Sequence, residues 1–137
     1  MSDVKILNLV SFIQGLEADG AATEQLVSQY VRRFTLGFLR RVVLASPVDT
    51  GRFRGNWQVD IGSMEGPKGE TGREDRSGGQ TIASGLAEIA GHRAFEPVVI
   101  VNNVPYAARL NDGWSRQAPA GFVEAAIDAE LNLVLTP

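Results

Sequence analysis

Apolar residues return at three- and four-residue steps between Thr23 and Ala45: Val27, Val31, Phe34, Phe38 and Val42. That spacing lines them along one face of an α-helix. Leu26 and Tyr30 widen the stripe, while Arg33 and Arg40 share a different face. The run must stop at Ser46-Pro47, because proline pushes the residue before it out of helical geometry. Val48-Asp49-Thr50-Gly51 then reads as a turn, since Asp and Thr bond nearby backbone N–H groups and Gly51 permits a positive φ. From Arg52 to Ile61 the period changes to two. Phe53, Gly55, Trp57, Val59 and Ile61 fall on one side, and Arg52, Arg54, Asn56, Gln58 and Asp60 on the other. That is the pattern of a half-buried strand.

Residues 62–79 carry six glycines, Pro67 and interleaved charges, which leaves almost nothing to bury and predicts a flexible loop. Ile82, Leu86 and Ile89 predict a short helix over Thr81–Gly91, weakened by Gly85. Pro97 opens the β-branched run Val98-Val99-Ile100-Val101, a second and buried strand, closed by Asn102-Asn103. Pro105–Leu110 reads as one helical turn and Asn111-Asp112-Gly113 as a tight turn. Pro119 suits the first turn of a final helix, with Val123, Ile127, Leu131 and Val134 as its apolar stripe. Near the start, Val4–Leu16 is apolar with mixed period, a strand or a helix. Two strands alone are marginal. The expected fold is therefore α+β: a small antiparallel sheet packed against a long N-terminal helix and a C-terminal helix, with one long flexible loop. A chain of 137 residues fits a single domain over 1–137.

The absence of cysteine excludes disulfides, thiolate chemistry and Cys-based zinc sites. No apolar run approaches the roughly 20 residues of a membrane span, and Met1-Ser2-Asp3 lacks the basic start of a signal peptide. A soluble protein without a membrane partner is expected. His92 is the single histidine, at the end of the short helix, where an imidazole with no visible partner is a cap or a surface group. Motifs for a nucleophile elbow, a zinc protease or a phosphate loop are missing. Asp49, Asp60 and Asp112 sit at turns or strand ends, the ordinary place for capping carboxylates. Glu124 and Asp128 share a helix face with no histidine or third acid beside them. Trp57 belongs to the core by its alternation, and Tyr106 should bury its ring with the hydroxyl at the rim. No catalytic residue, metal or cofactor is expected.

The net charge of −3 speaks against indiscriminate binding to nucleic acid, but the charge is unevenly spread. Arg32, Arg33, Arg40, Arg41, Arg52 and Arg54 are opposed only by Asp49 over residues 29–54, and every charge from Glu124 onward is acidic: Glu124, Asp128 and Glu130. Such polarity either pairs one subunit with another or marks two solvated faces.

Two segments stand out as strings. The first is Ser46-Pro47-Val48-Asp49-Thr50-Gly51-Arg52, followed by Gly55-Asn56-Trp57-Gln58. The second runs Val101-Asn102-Asn103-Val104-Pro105-Tyr106-Ala107, then Leu110, Gly113, Ser115, Gln117-Ala118-Pro119 and Gly121. In that order they resemble the tail-completion or neck proteins that join head to tail in long-tailed bacteriophages and prophages. The resemblance implies a non-enzymatic structural subunit of the virion, assembled in the host cytoplasm. It forms a homo-oligomeric ring, of six copies for instance, at the head-proximal end of the tail. Its partners are other tail and head-connector proteins, and DNA passes nearby without sequence-specific contact. On this chain the shared residues are Pro47, Asp49, Thr50, Gly51, Arg52, Asn56, Trp57, Asn103, Pro105, Tyr106, Gly113, Pro119 and Gly121. Pro47 and Gly51 set the corner, Trp57 the sheet face, and Pro105, Tyr106 and Pro119 the turns that aim the last helix. Two places depart from the pattern: Asn111-Asp112 stands where a glutamate is expected, and Glu124 where a basic residue is common. Arg33, Arg40, Glu124 and Asp128 are the candidate subunit-interface residues. The alternatives are a tail terminator capping the tube and a small nucleic-acid-binding module using the Arg-rich helix.

Overall fold

A computed structural model of the protein describes residues 24–93 and 95–135; the apolar stretch Val4–Leu16 lies outside them. The fold is α+β. In chain order the elements are α1 (Glu24–Ala45), a 3₁₀ turn (Arg54–Asn56), β1 (Trp57–Ile61), α2 (Gly79–Ile89), β2 (Val98–Asn102), α3 (Ala107–Asn111) and α4 (Phe122–Leu135).

The long helix forms where its periodicity predicts, but its buried face is turned slightly from the predicted one. Val27, Phe38 and Val42 are buried together with Ser28, Thr35, Leu39 and Val43. Val31 and Phe34 are half-buried, and Phe34 stacks on Phe38 at a centroid distance of 6.5 Å. The helix ends at the expected place, where Ser46 Oγ donates to the Val42 carbonyl at 2.6 Å.

The strand predicted over Arg52–Ile61 begins only at Trp57. Gly51 has φ +93°, its carbonyl accepts the Gly55 N–H at 2.8 Å, and the Phe53 carbonyl accepts the Asn56 N–H at 3.0 Å, the three-residue step of the 3₁₀ turn over residues 54–56. Gly51 is required here, because a Cβ would lie 2.8 Å from the backbone nitrogens of Asp75 and Arg76. Asn56, assigned to the polar face by alternation, is fully buried.

β1 pairs antiparallel with β2, from Trp57 opposite Asn102 to Ile61 opposite Val98. The prediction of a buried second strand is corrected: all five residues of β2 are half-buried, because the strand has one neighbour in a two-stranded sheet. The sheet packs against the helices. Thr81, Gly85 and Ile89 form the inward face of α2; Ile82 packs half-buried against the core, while Leu86 is displaced from it and 48% exposed. Gly85 is a point of close approach: a Cβ there would overlap Leu39 Cδ2 and sit 3.2 Å from Val59 Cγ2.

α4 starts after Gly121 (φ +78°), so Pro119 precedes the helix and is not in its first turn. Its inward residues are Phe122, Ala126, Glu130 and Leu131, while Val123 and Ile127 pack on the core half-buried. The Val134 side chain lies outside those described. The core gathers Phe38, Leu39, Val42 and Val43 of α1, Phe53, Trp57 and Val59 of the corner and β1, and Phe122 and Ala126 of α4. No helix among the described residues is long and apolar enough to cross a membrane.

Candidate functional site

The chain turns a corner between α1 and β1, and the second string folds back onto it. The Gln117 side-chain amide accepts the Val48 N–H at 2.8 Å and donates to the Val48 carbonyl at 2.7 Å. It thus satisfies both backbone groups of a residue that proline and the turn leave without a ladder partner. Asn102 Nδ2 donates to the Phe53 carbonyl at 2.9 Å. The Phe53 ring meets Trp57 edge-on at 5.7 Å, Phe122 edge-on at 6.2 Å and Tyr106 at 6.4 Å. Under this cluster the Trp57 indole N–H donates to Ser46 Oγ at 2.8 Å. Arg54 closes the end of α1: its guanidinium donates to the Leu44, Ser46 and Arg76 carbonyls at 3.1, 2.8 and 2.7 Å. A cation is favourable there because helix C-terminal carbonyls carry partial negative charge.

Residues 62–78 are irregular but not without anchors, which corrects the expectation that 62–79 have almost nothing to bury. Asn56 Oδ1 accepts the Thr71 N–H at 2.7 Å, and Thr71 Oγ1 donates to the Gly55 carbonyl at 2.8 Å. Arg73 donates to the carbonyls of Gly55 and Trp57 at 3.0 and 3.1 Å. Asn103 Nδ2 reaches the carbonyls of Pro67 and Gly69 at 2.8 and 3.1 Å. Asp75 is buried, and its carboxylate accepts from Thr81 N–H, Thr81 Oγ1, Gly78 N–H and Ser77 Oγ at 2.8, 2.7, 3.1 and 3.4 Å. It covers the free N–H groups at the start of α2. Burial by itself raises the Asp75 pKa, but these hydrogen bonds together outweigh it and hold the carboxyl below its ordinary value.

Between the two strings lies an open cleft of about 490 Å³. Pro47, Val48 and Thr50 form one wall; Tyr106, Leu110 and Gln117 form the other; Asp49, Glu74 and Arg52 also line it. Arg52 lies over the Tyr106 ring at 5.4 Å and grips Glu70 with two hydrogen bonds of 2.8 and 2.6 Å. Those bonds, more than the Coulomb attraction, raise the guanidinium pKa and lower that of Glu70. The cleft is lined by carboxylates, hydroxyls and ring faces.

The other candidate positions separate. Arg33 and Arg40 are exposed and form no ion pair with a described residue. Glu124 is held inside the subunit: its oxygens accept from Asn111 Nδ2 at 3.1 and 2.9 Å, while Asn111 Oδ1 accepts the Val123 N–H at 3.0 Å. Asn111 and Glu124 thus lie against each other and tie α3 to α4. Asp128 is half-buried and also has a partner. Pro105 is exposed just before α3, and Gly113 makes the tight turn with φ +90°. His92 is corrected from cap or surface group to buried residue, 1% exposed. Its Nε2 lies 3.0 Å from the Glu96 carbonyl, and its own carbonyl accepts from Arg32 at 2.8 Å. Sequence reasoning missed the buried Glu130, which Arg41 Nε meets at 2.8 Å. Gly37 leaves room for that carboxylate, because a Cβ there would overlap it. Nothing in one sequence links positions so far apart. Among the described residues no group of three or more His, Asp or Glu side chains is placed to hold a metal ion.

Compared with family models, with curated proteins and with solved structures, the chain finds no match.

Proposed function

We propose that this chain is a structural, non-enzymatic subunit of a bacteriophage or prophage tail, completing the tail or joining it to the head as part of a ring. The supporting observation is that the two strings carrying the resemblance form one unit in space. Gln117 pairs with Val48 through both amide atoms, and Phe53 is clasped between Trp57, Tyr106 and Phe122. Residues far apart in sequence that share one corner are under one structural constraint, as expected of a motif that sets a subunit's shape. The Arg-rich helix favours the structural reading over a nucleic-acid module. Arg41 and Arg52 are ion-paired within the chain with Glu130 and Glu70, and Arg54 is held against backbone carbonyls, which reduces the cations of this stretch free to neutralise phosphates.

Electron microscopy of particles made without this protein tests the proposal. Full heads beside free tails of finished length are expected for a joining or completion role. Tails of uncontrolled length mark a terminator instead, and normal infectious particles reject both.

A further inference from the structure

Two separate surfaces carry opposite charge that the chain itself does not neutralise. On α1, Arg33, Gly37, Arg40 and Leu44 follow at four-, three- and four-residue steps and so share one face. Beside this stripe lies Leu133 of α4, and Leu44 and Leu133 are 54% and 57% exposed. The neighbouring Arg32 and Arg41 are occupied within the chain, so Arg33 and Arg40 are its outward cations. At the corner cleft, Glu70 neutralises Arg52. Asp49 and Glu74, both exposed, remain as lining carboxylates without an ion pair among the described residues. The cleft volume of about 490 Å³ admits long side chains, and Pro47 and Tyr106 give their stems apolar surface to lie on. The cleft and the groove beside the stripe share no lining residue.

We propose that the corner cleft receives the Arg33/Arg40 stripe of a second copy of this chain, with Asp49 and Glu74 accepting the guanidinium groups. Opposite charge on two unlike surfaces makes the contact head-to-tail. Such a contact repeats from copy to copy and closes into a ring when the rotation allows. The inference deepens the ring reading and rests on it for closure. It also replaces Glu124 and Asp128, which are engaged within the subunit, as the acidic side of the interface.

The test is sedimentation velocity and native mass spectrometry of the full chain at about 50 mM and about 500 mM salt, since exposed charge pairs weaken over that range. The wild type is expected to self-associate at low salt. Both R33E/R40E and D49R/E74R should weaken association about 100-fold, because like charges then face each other. The neutral R33Q/R40Q should fall between, and matching thermal unfolding controls for folding. An equal mixture of the two reversed variants has opposite charges at both kinds of contact, the stripe of each in the cleft of the other, and should regain assembly in alternation. The quadruple variant should regain wild-type assembly. A wild type that stays monomeric at low salt overturns the proposal, as does a reversed variant that assembles like wild type, or a mixture that stays monomeric. If the reversals act as expected but deletion leaves virions intact, the contact stands and the tail reading fails. If deletion gives defective tails but the reversals have no effect, the tail reading stands and the contact fails.

Discussion

Replacing Asp75 by alanine removes the acceptor for four donors at the entry to α2. Two are backbone N–H groups, from Gly78 and Thr81, and two are hydroxyls, from Ser77 and Thr81. Asp75 and Thr81 are 6% and 1% exposed, so water replaces the carboxylate poorly. A lost helix cap costs about 1 kcal/mol, and each buried donor left unpaired adds about 1 kcal/mol or more. A loss of about 3 kcal/mol follows for Asp75→Ala, equivalent to a fall of about 10 °C in Tm for a domain of this size. Asp75→Asn keeps one acceptor oxygen and should lose about half as much. The pH dependence carries a sign. The folded carboxyl titrates below its ordinary value of 3.8, so the unfolded chain takes up the proton first as pH falls. The contribution of Asp75 is therefore complete above that value and disappears as pH drops through the depressed folded one. Urea unfolding followed by far-UV circular dichroism should show the gap between wild type and Asp75→Ala narrowing below about pH 4. A loss under about 1 kcal/mol at neutral pH, or a gap that does not narrow on acidification, refutes the assignment.

Other substitutions probe the same framework by independent routes. Gly85→Ala gains about 1 kcal/mol of helix propensity, but its methyl overlaps Leu39 Cδ2; denaturant unfolding should show a net loss of about 1 kcal/mol. Ser46→Ala leaves the buried Trp57 indole N–H without its acceptor and should cost about 1.5 kcal/mol, read by Trp fluorescence during unfolding. Thr71→Val removes the hydroxyl that holds residues 62–79 to the Gly55 carbonyl. It should speed tryptic cleavage at Arg73 severalfold while changing global stability little; unchanged cleavage counts against the tether.

The parts of the fold legible in the sequence are those where one periodicity persists. α1 runs long enough for its three- and four-residue steps to fix both type and end, and Val98–Val101 has no charge or glycine to confuse its strand. The corner misleads because Arg52–Ile61 alternates throughout, yet only Trp57–Ile61 is extended. Gly51 and the Gly55-to-Gly51 hydrogen bond wind the first half into a turn whose apolar residues still face the core. Glycine and charge content over 62–79 conceals Thr71, Arg73 and Asp75, because composition does not record side chains that bond to distant backbone. The candidate site was legible only as two separate strings. That they meet, through Gln117 on Val48 and the rings around Phe53, is a tertiary fact. Glu124 shows the same limit: its charge is visible in the sequence, and its commitment to Asn111 is not.

Cryo-electron microscopy of intact virions, with this chain located by its density, tests the central claim most directly. The expected result is a closed ring of copies at the head-proximal end of the tail, each corner cleft facing the α1 stripe of its neighbour. Virions that lack the chain, or that hold it as isolated copies away from the head–tail junction, would contradict it.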